Sequence, residues 1–208
     1  CFGSDWISIG IFTACIVFPV SILLEGSLTK TERDRIFVIY IIAFFVIFFW
    51  AAYEQAGASL TLFASEQTDR VILGWEMPAS WIQSFNPFFV VALTPVSMAI
   101  FGSLARKGKE PSAPRKIGLG MLVAACGYIL MMFASFGLLT PNEQGAALEA
   151  GTASFVSPNW LVSTYLVLTF GELLLSPMGI SFVSKVAPPK YKGMMMGGWF
   201  VATAIGNY

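Results

Sequence analysis

Long apolar stretches separated by short polar segments run through the whole chain. The apolar stretches cover residues 6–24, 36–64, 80–105, 117–138, 159–184 and 193–208. A transmembrane helix needs about 20 apolar residues, whereas barrel strands alternate apolar and polar positions, and that alternation is absent here. The pattern predicts an all-α membrane protein with about six transmembrane segments, the last one truncated. Because the chain opens on Cys1 and stops at Tyr208 inside an apolar run, we expect it to be part of a longer protein.

The basic residues lie on one side of the predicted membrane. If the segments alternate in direction, the links 25–35, 106–116 and 185–192 face the same side, and they hold 11 of the 12 lysines and arginines. Only Arg70 lies on the opposite side, where residues 65–79 and 139–158 are expected to form loops. The positive-inside rule places the basic links in the cytoplasm and predicts a multi-pass protein of the cytoplasmic membrane.

Composition narrows the possible chemistry. Only 12% of the residues are charged, against about a quarter in a soluble domain. The sequence has no histidine, and its three cysteines form no CxxC pair, so zinc, haem and serine–histidine chemistry lack their usual residues. We therefore expect no metal and no cofactor, and an enzyme is the function class that the sequence favours least.

Two acidic residues, Glu54 and Glu172, lie inside apolar stretches. A carboxylate at bilayer depth costs roughly 2.5–3.5 kcal/mol on insertion scales. No lysine or arginine lies deep in any predicted segment, so each carboxylate needs a proton, a cation from outside this chain or a cationic group of a substrate. All three solutions indicate a transport pathway. The alternative is a protonated carboxyl group that donates a hydrogen bond between helices.

The neighbours of the two acids are polar or aromatic. At helical spacing, one face of the fifth segment carries Tyr165, Thr169, Glu172, Ser176 and Gly179. One face of the second segment carries Trp50, Glu54 and Thr61. Trp50 is either the wall of a pocket or a filler between helices. Asn86 precedes Pro87 and suits either an amide ligand or the capping of a proline-interrupted turn.

Three stretches together resemble the proton-dependent oligopeptide transporter family of the major facilitator superfamily. FFWAAYEQAG (48–57), SFNPFF (84–89) and GELLLSPMG…SKVAPPKYKG (171–193) are similar to its seventh, eighth and tenth transmembrane helices. The resemblance, which covers roughly residues 34–208, implies the C-terminal six-helix bundle of that fold. It implies an extra helix between bundles at 1–24, a cytoplasmic link at 25–35, and helices seven to the start of eleven at 36–208.

The resemblance also implies roles for single residues in a substrate site. Glu172 resembles the acid that holds the free ammonium group of a peptide, and Ser176 lies one turn further in the same site. Asn86 resembles the asparagine that hydrogen-bonds the peptide backbone. Trp50 and Trp199 resemble the aromatic walls of side-chain pockets.

By the same resemblance, Glu54 is similar to the acid that pairs with a lysine of the N-terminal bundle, and Glu54 and Glu172 are the expected proton-coupling residues. The implied function is proton-coupled symport of di- and tripeptides by alternating access. The implied partners are the peptide, the lipid bilayer and the missing N-terminal bundle, with no nucleic acid and protons as the coupling ion. The alternatives are a carrier of nitrate or another anion and a non-transporting membrane scaffold or sensor.

Overall fold

The computed structural model describes residues 9, 10, 13, 16, 17, 20–22, 24–26, 28–72 and 74–207. Most of the first apolar stretch, residues 6–24, lies outside the described residues. The prediction of an extra transmembrane helix at 1–24 therefore stays a prediction.

Helices make up most of the described chain. They are α1 (Lys30–Gln55), a π-helical turn (Ala56–Leu60), α2 (Thr61–Glu66), a 3-10 helix (Ala79–Ser84), α3 (Phe85–Arg106), α4 (Ala113–Ala134), α5 (Pro141–Glu149), α6 (Asn159–Val186), a second 3-10 helix (Pro189–Tyr191) and α7 (Lys192–Gly206). Two short strands, β1 (Val71–Ile72) and β2 (Trp75–Glu76), pair antiparallel between α2 and the first 3-10 helix.

Four helical stretches of the described chain are long and apolar enough to cross a membrane. They are Lys30–Glu66, Ala79–Arg106, Ala113–Ala134 and Asn159–Val186. These stretches coincide with the second to fifth segments predicted from the sequence, and α7 adds 15 helical residues at the sixth. The prediction of an all-α membrane protein is confirmed.

Several of the predicted polar links contain more helix than the sequence pattern predicted; the link at 25–35, for example, is already helical from Lys30. Residues 139–158 include α5, which begins with a capping box: the Glu143 backbone N–H donates to the Thr140 hydroxyl, and the Thr140 backbone N–H donates to the Glu143 carboxylate at 2.9 Å. The backbone N–H and the hydroxyl of Thr140 lower the pKa of Glu143 below its ordinary value. The basic link predicted at 106–116 ends earlier, because α4 already begins at Ala113.

The early start of α4 buries one basic residue. Lys116 is only 3% exposed, and its ammonium group pairs with the Glu110 carboxylate and lies 4.3 Å from the centroid of the Phe101 ring. A lysine can be buried at a helix end when a carboxylate compensates its charge. Lys116 therefore belongs to the packed end of α4 and not to a solvated loop.

The described chain divides into two compact units, Cys1–Ala52 with Met178–Tyr208, and Tyr53–Pro177. In the first unit, a Cβ added at Gly206 of α7 would lie 2.6 Å from the Cβ of Trp50 and 2.7 Å from the carbonyl oxygen of Ile47. The absence of a side chain at Gly206 therefore lets α7 approach α1 closely.

In the second unit, glycines bring α4 against α6. A Cβ added at Gly120 would lie 2.7 Å from the carbonyl oxygen of Gly171, and one added at Gly171 would lie 2.8 Å from the carbonyl oxygen of Gly120. Gly127 has similarly little room, because the Leu168 side chain would lie 3.1 Å from its added Cβ. Small residues thus set the separation of the helix that carries Glu172 from its neighbour.

We expect Gly120→Ala to destabilise the protein although alanine is the better helix former. The new methyl group would meet backbone atoms that cannot rotate away, and overpacking of this kind costs about 1–3 kcal/mol. Gly118→Ala is the matched control in the same helix, because a Cβ there meets nothing within 4 Å. Thermal unfolding of the purified protein in detergent measures both. A melting temperature of the Gly120 variant at or above that of the Gly118 variant would contradict the prediction.

Candidate functional site

The Tyr53 hydroxyl joins two of the predicted site residues, Asn86 and Glu172. It donates a hydrogen bond to Oε2 of Glu172 at 2.5 Å and accepts one from Nδ2 of Asn86 at 2.5 Å. All three residues belong to the second unit. Tyr53 is buried, whereas Asn86 and Glu172 are half-buried. The structure therefore brings the predicted acid and the predicted amide together through the phenol of Tyr53, which was not among the predicted site residues.

Three separate helices contribute these side chains. Tyr53 lies in the last turn of α1, directly before the π-helical turn, and Asn86 lies in the first turn of α3. Pro87 is tolerated beside Asn86 because the first turn of a helix leaves its backbone N–H groups unpaired. Glu172 lies near the middle of α6. A polar cluster thus forms within the membrane-spanning stretches.

The π-helical turn after Tyr53 is held by side chains from neighbouring helices. The Tyr165 hydroxyl donates to the carbonyl oxygen of Ala56 at 3.0 Å. The Gln83 amide donates to the carbonyl oxygen of Gly57 at 3.0 Å and to the Thr61 hydroxyl at 2.7 Å. Turns of this type are rare and frequently occur at functional sites. These bonds fix the end of α1 from which Tyr53 reaches Glu172.

The rest of the polar stripe on α6 lies beside this network. Thr169 is completely buried, and the Ser176 hydroxyl oxygen is buried without a hydrogen-bond partner among the described residues. Pro177 lies inside α6 and does not end it. A buried hydroxyl without a partner is an available donor and acceptor one turn from Glu172.

Glu54 differs from Glu172 in its surroundings. Its side chain is exposed, and it makes no hydrogen bond or ion pair with any described residue. Glu172, in contrast, accepts the Tyr53 hydroxyl. Of the two acids predicted to couple protons, Glu172 therefore belongs to a hydrogen-bond network. Glu54 is exposed and can pair with a partner outside the described residues.

The two predicted aromatic walls belong to the first unit. Trp50 is half-buried, and its ring lies edge-on to that of Phe49 at 5.5 Å between centroids. Trp199 is buried, with its ring directly over Gly179, where a Cβ would overlap it. Gly179 therefore provides the space that the indole of Trp199 occupies.

A separate cavity of about 520 Å³ lies between residues 65–76 and α5. None of the predicted site residues lines it. Its single cation, Arg70, pairs with Glu76 at 2.6 Å and donates to the carbonyl oxygen of Met77 at 2.9 Å. Among the described residues, no group of three or more His, Cys, Asp or Glu side chains is placed to hold a metal ion.

Polar side chains that converge inside membrane-spanning helices are typical of a membrane transporter. Comparison with known proteins identifies the family: residues 7–208 match the POT family, PTR2. The chain belongs to the POT family and, with several helices able to span a membrane, is a multi-pass membrane protein. This membership confirms the resemblance found in the sequence and the expectation that the chain is not part of an enzyme.

Similar proteins have names that describe peptide transport. The chain is 39% identical over 182 residues to the peptide transporter YePEPT of Yersinia enterocolitica, covering 88% of this chain and 34% of that protein. It is 34% identical over 177 residues to dipeptide and tripeptide permease B of Salmonella typhimurium, covering 85% of this chain and 34% of that protein. The chain thus spans about a third of the length of these curated relatives.

A solved structure of the peptide transporter POT in complex with alafosfalin has the same fold. The TM-score is 0.80 and the sequence identity 28%, over 98% of this chain and 39% of that one. The chain is therefore similar in fold to the corresponding part of a known POT transporter.

Proposed function

We propose that this chain supplies the C-terminal part of a proton-coupled transporter of di- and tripeptides, and that it binds the amino-terminal end of the peptide. The observation that carries the proposal is the network of Glu172, Tyr53 and Asn86 inside membrane-spanning helices. The names of the relatives, peptide transporter and dipeptide and tripeptide permease, support the same substrate class.

The chemistry of the network suits the amino end of a peptide. Glu172 offers a carboxylate to the ammonium group, and only one of its oxygens, Oε2, accepts a hydrogen bond from a described residue. Asn86 has an amide that both donates and accepts, as a peptide group requires. Ser176 adds a hydroxyl one turn away, and Trp50 and Trp199 are proposed as walls for the substrate side chains.

A peptide zwitterion needs both signs of charge in its site. Glu172 supplies the negative pole, and no described lysine or arginine pairs with it. We therefore place the positive pole, for the peptide carboxylate, in the N-terminal bundle of the complete transporter. The site then lies between the halves near the middle of the membrane, as in other secondary transporters. The basic links at 25–35, 106–116 and 185–192 would face the cytoplasm.

Protons would act on the two carboxylates. Protonation of Glu54 removes the charge that would pair with a lysine of the N-terminal bundle, and protonation of Glu172 removes the charge that holds the substrate ammonium. Either event favours one orientation of a two-state rocking motion.

The test is uptake of a labelled dipeptide by the full-length protein in proteoliposomes, with and without an inward proton gradient. We expect accumulation only with the gradient, competed by other dipeptides and not by free amino acids. Absence of dipeptide uptake by folded protein, together with gradient-dependent uptake of nitrate, would replace the proposal with an anion carrier. Absence of both would favour a non-transporting scaffold.

A further inference from the structure

The hydrogen bonds of Tyr53 have a defined direction. The Nδ2 group of Asn86 can only donate, so the Tyr53 oxygen must accept that bond. The single phenolic hydrogen is then available for Glu172, whose carboxylate is the acceptor at 2.5 Å. In these two bonds the order of donation is Asn86 to Tyr53 to Glu172.

Tyr53 and Glu172 differ in burial, and this difference indicates different roles for the two side chains. Tyr53 is 8% exposed, whereas Glu172 is half-buried and its Oε1 accepts no hydrogen bond from a described residue. The phenol hydrogen-bonds one carboxylate oxygen, Oε2. Oε1 has no hydrogen bond from a described residue and can accept one from a ligand.

We propose that Tyr53 is the positioning residue of the substrate site: it fixes the Glu172 carboxylate so that Oε1 faces the ammonium group of the peptide. This inference rests on the proposed function. A half-buried glutamate side chain has several rotamers, and fixing one before binding removes an ordering cost from the binding step. Asn86 supports the same orientation indirectly, because its amide donates to the Tyr53 hydroxyl that in turn donates to Glu172.

Tyr53→Phe in the full-length protein is the direct test, because it removes only the hydroxyl. A hydrogen bond to a charged group contributes roughly 1.5–3 kcal/mol, so we expect KM for a dipeptide to rise about 10- to 150-fold with little change in Vmax. Tyr53→Met, which keeps apolar bulk without a hydroxyl, is expected to raise KM similarly and shows that the effect does not depend on the new ring. A KM unchanged from that of the unsubstituted protein in both variants would overturn the inference.

Tyr40→Phe is the matched control in the same helix. The Tyr40 hydroxyl is buried without a hydrogen-bond partner among the described residues, so its removal is expected to leave KM unchanged. A rise in KM as large as that of Tyr53→Phe would mean that loss of any phenol from α1 disturbs transport, and it would overturn the assignment to Tyr53.

Equilibrium binding distinguishes positioning from a general structural effect. Dipeptide affinity is measured in detergent for the unsubstituted protein, Tyr53→Phe, Glu172→Gln and the double variant. We expect Tyr53→Phe to weaken binding in the unsubstituted background and to have no effect once Glu172 is replaced. The same loss in both backgrounds would overturn the inference. Failure of the proposed function itself is read separately, from the absence of dipeptide uptake by the unsubstituted protein.

Discussion

Glu172→Gln is expected to abolish proton-driven dipeptide uptake. The substitution keeps the shape of the side chain but removes the negative charge that would pair with the peptide ammonium. Removing one partner of a desolvated charge pair costs roughly 2–5 kcal/mol, which corresponds to a roughly 30-fold to several-thousand-fold loss of affinity. Dipeptide uptake into proteoliposomes under an inward proton gradient measures the loss, and equilibrium binding shows that it lies in affinity.

Glu149→Gln provides the control for this substitution. Glu149 is exposed at the end of α5, outside the membrane-spanning stretches, so the same chemical change there is expected to leave uptake unaltered. An N-acetylated dipeptide adds a second check, because it lacks the ammonium group. It is expected to compete only weakly with the labelled dipeptide, and to the same extent for Glu172→Gln and Glu149→Gln. Normal accumulation of the unblocked dipeptide by Glu172→Gln would refute the assignment.

The membrane spans were predictable from the sequence because apolar length and charge placement determine them directly. Helix α5 was not predicted, although its signal is visible: Thr140 is followed by Pro141 and, three residues on, by Glu143, which is a capping box with proline in the first turn. Low hydrophobicity made residues 139–158 resemble a loop. The local capping signal was the better guide there.

The candidate site was predictable only in part. The buried acid Glu172 stands out because a carboxylate at membrane depth is costly, and Asn86 stands out beside a proline. Tyr53 does not, because it lies among aromatic residues in an apolar run and its role depends on contacts from two other helices. Only the folded arrangement distinguishes this tyrosine from a residue that fills space.

The π-helical turn also limits what helical spacing predicts. Trp50, Glu54 and Thr61 share one face only if the helix is regular between them, and the turn at Ala56–Leu60 interrupts the 3.6-residue period. The structure instead places Thr61 against Gln83. Apolar periodicity does not reveal an irregular helical turn. Which residues share a face on either side of such a turn therefore cannot be predicted from their spacing alone.

Glu54→Gln is expected to uncouple transport from the proton gradient while preserving exchange. Glu54 is exposed and has no partner among the described residues, which suits a carboxylate that pairs with a cation of the N-terminal bundle in one orientation and is protonated in the other. Glutamine mimics the protonated form permanently. The binding network of Glu172, Tyr53 and Asn86 remains intact, so the peptide still binds, but a gradient no longer changes the charge at this position.

Two assays on the same proteoliposomes separate these effects. Gradient-driven accumulation of a labelled dipeptide is expected to be lost, whereas counterflow, in which unlabelled peptide inside exchanges for labelled peptide outside, is expected to continue. Glu149→Gln is again the matched control and is expected to retain both activities. Loss of both activities by folded Glu54→Gln would place Glu54 in substrate binding, and retention of both would remove it from proton coupling. The combination of lost accumulation with preserved exchange is the result that assigns coupling to Glu54 and binding to Glu172.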